Sequence, residues 1–131
     1  MKDLGVVAID GGRWEIYVGG AAGAHIRKGD LLATVDTPDE VMTLTGRFLQ
    51  YYRENANWLE RTYAFVPRLG IERLRDLIVL DTEGLGAGLD ERMEAAVGAY
   101  RDPWKEGLEP TVPGQFRTSL PLVVLPQVPV R

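Results

Sequence analysis

One long amphipathic helix in the middle of the chain constrains the fold more than any other feature. Residues 37–40 (Thr-Pro-Asp-Glu) place a capping hydroxyl before a proline at the first helical position, with an acid three residues after the cap. Apolar side chains then recur at three- and four-residue steps, which is typical of one buried helix face. They are Val41, Leu44, Phe48, Tyr52, Ala56, Leu59, Tyr63 and Val66. We therefore predict one continuous helix over residues 38–66, closed by Pro67 and Gly70.

The segment before this helix favours a small antiparallel sheet. Residues 4–9 form an apolar, β-branched run, and residues 14–18 alternate with period two. Gly11 and Gly12 lie between them and can adopt the positive φ angles of a tight turn, so the two runs predict a β-hairpin. A further strand is expected at residues 31–35.

Two shorter helices and a proline-rich tail complete the predicted organisation. The helices are expected over residues 71–80 and about 89–100. Five of the eight prolines fall in residues 110–131, too many for a helix or a central strand. We therefore predict a domain over residues 1–106 and an extended proline-rich arm over residues 107–131.

The predicted fold class is α+β. A small antiparallel sheet over residues 3–35 packs on the long helix, and the two shorter helices and the arm follow it.

Composition excludes several kinds of function. The chain has 131 residues, a formal net charge of −4, no cysteine and a single histidine. Without cysteine it cannot form a disulfide, a thiolate zinc site or, by itself, the ligand set of an iron–sulfur cluster. Its acidic balance argues against a nucleic-acid partner, and no apolar run approaches the roughly 20 residues of a membrane span. With no signal-peptide layout, a cytoplasmic location is expected.

A small-residue loop is the main candidate for binding chemistry. Residues 19–23 (Gly-Gly-Ala-Ala-Gly) follow a predicted strand, and glycines let backbone N–H groups approach an anion closely. His25, Arg27 and Lys28 lie just beyond it. Two interpretations stay open: a site for the carboxylates of a large anionic cofactor, and a tight connection followed by solvated charges, which composition alone favours. A lone histidine without cysteine does not indicate a transition-metal site.

Two surfaces are candidates for contact with other proteins. Tyr51 and Trp58 lie one heptad apart and off the main stripe of the predicted helix, so we interpret them as facing a partner domain. Residues 4–9 would form an edge strand whose unpaired backbone groups can join two copies, so we predict that the chain dimerises.

Several short motifs occur in a distinctive order along residues 3–118. They are Asp3-Leu4-Gly5-Val6-Val7, Trp14-Glu15-Ile16-Tyr17-Val18-Gly19-Gly20, Gly29-Asp30-Leu31-Leu32, Phe48-Leu49-Gln50-Tyr51-Tyr52-Arg53-Glu54 and Leu59-Glu60-Arg61-Thr62, followed more weakly by Asp102-Pro103-Trp104 and Gln115-Phe116-Arg117. In this order they resemble the C-terminal segment of the siroheme and 4Fe–4S domain of assimilatory NAD(P)H-nitrite reductase large subunits. Sulfite reductase hemoproteins share the hairpin and the paired glycines, but the Tyr-Tyr-Arg-Glu helix is more similar to the nitrite branch.

The resemblance implies a role within a larger enzyme. Such enzymes carry out the six-electron reduction of nitrite to ammonia, with electrons passing from NAD(P)H through FAD to the cluster and siroheme. The cluster cysteines lie upstream of the segment that this chain resembles, so the chain alone is expected to be inactive and to have the upstream domains, and a small subunit, as partners. No catalytic or metal-binding residue carries over.

The resemblance also suggests which residues line the siroheme pocket. They are Gly19, Gly20, His25, Arg27 and Lys28. The family commonly has Gly-Gly-Asn where this chain has Gly-Gly-Ala, so a side-chain role at position 21 does not carry over.

Two other functions remain open at this point. One is a stand-alone, non-catalytic binding module that descends from the reductase domain. The other is a small anion- or tetrapyrrole-binding protein that uses the glycine-rich loop.

Overall fold

Strands occupy the early part of the chain in the computed structural model, which describes residues 2–24 and 26–102. They are β1 (Leu4–Ile9), β2 (Arg13–Val18), β3 (Ala21–Ala22), β4 (Ile26–Arg27) and β5 (Asp30–Val35). The longer strands form an antiparallel sheet in the order β1-β2-β5, and β3 pairs separately with β4. The predicted sheet is confirmed, with β1 at its edge.

The predicted hairpin is confirmed. β1 runs antiparallel to β2, from Leu4 opposite Val18 to Ile9 opposite Arg13. Gly11 and Gly12 have φ angles of 79° and 75°, which glycine adopts at no steric cost. The two adjacent glycines are therefore the reason that the chain reverses here.

Helices form the rest of the described structure. They are α1 (Pro38–Asn55), α2 (Thr62–Leu69), α3 (Ile71–Leu74), which continues directly into a π-helical turn (Arg75–Val79), and α4 (Gly86–Gly98). The start of α1 has the predicted capping box, because the Thr37 hydroxyl accepts the N–H of Glu40 and the Glu40 carboxylate accepts the N–H of Thr37.

The predicted single helix over residues 38–66 is wrong, because α1 ends at Asn55 and helix resumes only at Thr62. The Glu60 carboxylate accepts the backbone N–H of Asn57 at 2.9 Å. A side chain thus satisfies a backbone donor outside a helix, which is the usual way that polar residues compete with helical hydrogen bonding. Apolar spacing does not reveal this competition.

The break also redirects residues of the predicted apolar stripe. Leu59 has a φ angle of 59° and is 81% exposed, so it does not contribute to the core. Pro67 was expected to close the helix but lies inside α2, and Gly70 (φ 87°) is the residue that ends it.

Tyr51 and Trp58 do not share a helix face, because α1 ends between them. The Tyr51 ring is half-buried and packs edge-on against Phe65, with 6.3 Å between the ring centroids. Trp58 is 91% exposed. The prediction of a shared outward face is therefore wrong for Tyr51.

The two later helices follow the predicted order. The helix expected over residues 71–80 corresponds to α3 and its π-helical continuation. The next helix begins earlier than predicted, at Gly86, whose N–H donates to the Asp81 carboxylate at 2.9 Å.

A single core joins the sheet to the helices. Its buried side chains are Ile16, Val18, Leu32, Ala33, Val35, Leu44, Phe48, Phe65, Val66, Leu74, Leu77, Ile78 and Leu89. They come from β2, β5 and every helix, and the elements up to Ala99 form one compact unit. The predicted α+β class is confirmed.

Within residues 2–24 and 26–102, no helix is both long and apolar enough to cross a bilayer. The predicted boundary at residue 106 and the arm over residues 107–131 lie outside the described residues.

Candidate functional site

The glycine loop, residues 19–23, lies at the end of the sheet beside the N-terminal residues. Its strand β3 pairs with β4, with Ala21 opposite Arg27 and Ala22 opposite Ile26. The Gly19 N–H donates to the Asp3 carbonyl oxygen at 2.8 Å, which extends the pairing of β1 with β2 by one step. The hairpin therefore fixes where the loop begins.

Both paired glycines are required by the chain's own packing. Gly19 has a φ angle of 74°, and a Cβ there would lie 2.8 Å from the Val66 Cβ. A Cβ on Gly20 would lie 2.5 Å from the carbonyl oxygen of Lys2. Real Cβ atoms do not approach that closely, so neither position accepts a side chain without movement of the backbone or of α2.

Arg27 points into the loop. Its Nη1 donates to the Gly19 carbonyl oxygen at 2.7 Å, and its Nη2 donates to the Asp30 carboxylate at 2.6 Å. The side chain is 25% exposed, and its charge is balanced by that of Asp30. Arg27 therefore shapes the glycine loop, and this arrangement leaves little of its charge for a ligand.

A cavity of about 230 Å³ lies against the glycine loop. Its lining residues are Lys2, Asp3, Gly20, Ala21, Ala22, Gly23, Arg61 and Tyr63. Backbone of the glycine loop forms one wall, and two basic side chains approach it from other elements. Such a combination of backbone and cationic groups can hold a carboxylate or another anion.

The acidic residue of this cavity is already paired. The Thr62 hydroxyl donates to the Asp3 carboxylate at 2.7 Å, and Arg61 Nη2 donates to it at 3.0 Å. These bonds, with the Thr62 hydroxyl as the larger cause and Arg61 next, hold the pKa of Asp3 below its ordinary value. The Arg61 side chain is nevertheless 64% exposed, so its outer face is accessible to an anion.

The structure separates Lys28 from this cavity. Lys28 is exposed and lines a different cavity of about 360 Å³, together with Tyr17 and Arg75. His25 lies outside the described residues. Of the four predicted pocket residues that the structure describes, Gly20 lines the cavity on the glycine loop, while Gly19 and Arg27 set the shape of that loop.

Lys2 and Arg61 are the functional candidates that the sequence did not suggest. The hairpin register could have placed Lys2, because it brings the residues before β1 beside Gly19 and Gly20. No sequence signal placed Arg61, since its position depends on the break between α1 and α2.

Among the described residues, no cluster of three or more histidine, aspartate or glutamate side chains could hold a metal ion. The whole chain also lacks cysteine, the ligand of iron–sulfur clusters. The residues present therefore do not fit the coordination of a 4Fe–4S cluster.

Residues 1–85 match the family model for the nitrite and sulphite reductase 4Fe-4S domain. The chain belongs to this family. The resemblance seen in the ordered motifs is thereby confirmed. No solved structure matches the chain.

Curated nitrite and sulfite reductases match over most of the chain. An NAD(P)H nitrite reductase of Bacillus subtilis is 50% identical over 109 residues, which cover 83% of this chain and 13% of that protein. An NAD(P)H nitrite reductase of Emericella nidulans is 36% identical over 80% of this chain and 10% of its own length. An assimilatory-type sulfite reductase of Nitratidesulfovibrio vulgaris is 37% identical over 60% of this chain and 36% of its own length. The chain thus spans only a small part of the length of those nitrite reductases.

Proposed function

We propose that this chain acts as the C-terminal part of the large subunit of an NAD(P)H-dependent siroheme nitrite reductase, working in the cytoplasm. The observation that carries the proposal is the 50% identity over 109 residues to an NAD(P)H nitrite reductase of which the matched segment is only 13%. Identity at this level over one compact unit supports conservation of the unit's place in the larger protein. The whole enzyme would reduce nitrite to ammonia, with FAD and NAD(P)H bound by upstream domains.

The role of this chain in that enzyme is structural. The 4Fe–4S cluster requires thiolates, which the chain lacks, so its ligands would come from upstream domains of the same polypeptide. The sheet and the helix layer would complete the domain that holds the cofactors. A small subunit of the reductase is a further proposed partner.

The cavity on the glycine loop supports a contact with siroheme. Siroheme, when bound, would supply the iron at which nitrite is reduced, and its peripheral carboxylates need cationic and N–H partners. Lys2 and Arg61 are the exposed basic groups in this cavity, and the glycine loop offers close backbone approach. In this proposal Gly19, Gly20 and Arg27 shape the wall, and Arg61 with Lys2 holds carboxylates.

Two further residues predicted from the sequence, His25 and Lys28, are also part of this proposal. His25 and Lys28 flank β4, whose Arg27 holds the loop. We propose that Lys28 contributes positive charge near the siroheme site from the separate cavity that it lines, and we retain His25 as a proposed residue of the siroheme site.

Replacement of Arg61 tests this function. Native protein would be immunopurified from cells carrying Arg61→Gln or the matched control Arg73→Gln. Arg73 is also an exposed arginine in an ion pair, with Glu83, and lies outside the glycine-loop cavity. We expect the wild type and the control to carry siroheme absorbance and to form ammonia from nitrite, and Arg61→Gln to retain less siroheme. Absence of siroheme and of nitrite reduction from the wild-type protein would contradict the proposed function.

A second candidate function is a stand-alone, non-catalytic binding module. One observation favours it: the elements up to Ala99 close a core of their own in one compact unit. It predicts a native polypeptide that carries no chromophore.

A further inference from the structure

The loop that interrupts the predicted long helix exposes two large apolar side chains. Trp58 is 91% exposed and its neighbour Leu59 is 81% exposed. We call residues 56–61 the knob loop and these two side chains the knob. Tryptophan at a protruding position is the residue type most enriched among the anchors of protein interfaces.

The backbone of the knob loop adopts a conformation at Leu59 that leucine does not favour. Leu59 has a φ angle of 59°, in the left-handed region that glycine and asparagine adopt most readily. A solvated turn at this point would favour one of those residues. Non-glycine residues persist in this region where the surrounding structure holds them, and such positions cluster at functional sites.

A network of side chains fixes the knob loop on the core. Arg68 donates to both oxygens of the Glu60 carboxylate at 2.7 Å, and the same carboxylate accepts the Asn57 N–H. Tyr52 donates its hydroxyl to the Glu60 carbonyl oxygen. The Tyr52 ring and the Arg68 guanidinium both pack on the buried Phe65, at 5.1 Å and 5.3 Å from its centroid. The knob is therefore preorganised, which lowers the entropy that a partner must overcome on binding.

The surface beside the knob is basic. A cavity of about 440 Å³ next to Trp58 is lined by Arg53 and Arg61, which are both exposed. Because Arg61 is ion-paired with Asp3 at 3.0 Å, the basic character of this border comes mainly from Arg53. The Glu60 carboxylate also reaches this cavity but is 9% exposed and is neutralised by Arg68. An apolar knob with a cationic border is complementary to an apolar recess with an acidic border.

We propose that the knob is the anchor by which this chain docks onto the rest of the reductase polypeptide, in an apolar recess bordered by carboxylates. This inference rests on the proposed function. Two observations support the rest of the polypeptide as the partner that receives the knob. The border of the knob is cationic, and the matched segment is only 13% and 10% of two nitrite reductases, so most of each of those polypeptides lies outside it. The cavity at the knob also shares Arg61 with the cavity on the glycine loop, so docking would bring the upstream domains to the edge of the proposed siroheme site.

Hydroxyl-radical footprinting of two samples tests the docking. One sample is the isolated 131-residue chain, and the other is the native protein immunopurified from its cells with antibody against this chain. We expect oxidation of Trp58 to be about tenfold slower in the native protein, as for an anchor buried in an interface. Met42, which is 72% exposed on α1, is the matched control and should be oxidised at the same rate in both. Equal rates at Trp58 would overturn the proposal.

Two variants separate docking from folding. Trp58→Ala should leave the unfolding midpoint of the isolated chain unchanged, because the side chain makes little contact with its own core. In the native protein the same change should raise amide exchange of the knob loop to the rate of the isolated chain, whereas Leu80→Ala, at another exposed position, should not. Unfolding of the isolated chain by Trp58→Ala would overturn the proposal by giving Trp58 a structural role.

The size of the native protein distinguishes failure of this inference from failure of the proposed function. A large polypeptide in which Trp58 is oxidised freely would leave the proposed function standing and overturn the docking. A native polypeptide of 14.5 kDa with Trp58 protected would contradict the proposed function. It would also overturn the proposal that the knob docks onto the same polypeptide, since a separate protein or a second copy would then cover it.

Discussion

An arginine side chain holds both the glycine loop and the knob loop in place, but the glycine loop packs on the chain whereas the knob loop exposes apolar side chains to solvent. Arg27 draws the glycine loop onto the chain, where small residues let the backbone pack closely. Arg68 fixes the knob loop so that it keeps Trp58 away from the chain. The glycine loop is therefore held by close packing, whereas the knob loop is held by hydrogen bonds although its apolar side chains are exposed.

This difference separates residues that the fold needs from residues that a partner needs. A change in the glycine loop should be seen in the stability of the isolated chain. A change in the knob should be silent there and appear only in the larger protein. Variants in each loop distinguish these two roles.

Gly19→Ala should destabilise the isolated chain by about 3 kcal/mol, because it combines a positive φ with overpacking against Val66. Gly23→Ala is the matched control in the same loop, since nothing lies within 4 Å of its Cβ and its φ is ordinary. Chemical denaturation of both variants measures the difference. Equal stabilities would mean that the glycine loop is not held by packing.

Glu60→Gln should loosen the knob loop, because it removes the negative charge and one of the two carboxylate oxygens. Those oxygens accept two hydrogen bonds from Arg68 and one from the Asn57 N–H. We expect amide exchange in the loop to rise on the order of tenfold at neutral pH. Glu72→Gln is the control, as Glu72 is 79% exposed in its ion pair with Arg75. Unchanged exchange in Glu60→Gln would contradict the account of this loop.

The same loop should open in acid. Hydrogen bonds from Arg68 first, and from the Asn57 N–H next, lower the pKa of Glu60 below its ordinary value of 4.5. Because the folded-state pKa is lower than the unfolded one, the stabilisation is complete above pH 4.5 and is lost as pH falls through the lowered pKa. Exchange measured at descending pH in wild type and Glu60→Gln should therefore converge.

Asp3→Asn should cost about 0.5–1 kcal/mol at neutral pH, the scale of a partly exposed ion pair with an added hydrogen bond. The pKa of Asp3 is lowered from 3.8 by the Thr62 hydroxyl and then by Arg61, so its contribution is present above pH 3.8 and fades as pH falls below it. Thermal unfolding across this range measures the effect, with Glu83→Gln as the control for a more remote exposed ion pair. A difference that persists at low pH would contradict the role of the carboxylate.

The smallest expected effect is weak dimerisation of the isolated chain through β1. Its edge carries no charged residue or proline, and Val6 and Val7 are 41% and 48% exposed. Light scattering should detect a concentration-dependent dimer that Val6→Lys abolishes. A monomer at all concentrations would remove this prediction.

Sequence signals that act within a few residues predicted much of the fold. The glycine pair fixed the hairpin, and the capping box fixed the start of α1. The end of α1 escaped prediction because it depends on contacts of Glu60 with Asn57, Tyr52 and Arg68, and these contacts have no periodic signature. Apolar spacing continued through the break and favoured a longer helix.

The glycine-loop backbone of the candidate site was predictable from the sequence, whereas the arrangement of its side chains was not. The paired glycines were visible in the sequence, and the hairpin register could have added Lys2. Arg27 was predicted to line the siroheme pocket, and its hydrogen bonds with the Asp30 carboxylate and the Gly19 carbonyl oxygen are contacts that charge patterns alone do not reveal. Arg61 reaches the cavity only because the helix breaks before Thr62.

The mass of the native polypeptide decides whether this chain is one unit of a larger reductase. Antibody raised against this chain would be used to probe extracts of the cells that make it. We expect a band several times larger than 14.5 kDa, as for one reductase polypeptide that includes this unit. A single band at 14.5 kDa would contradict this expectation and favour the stand-alone binding module.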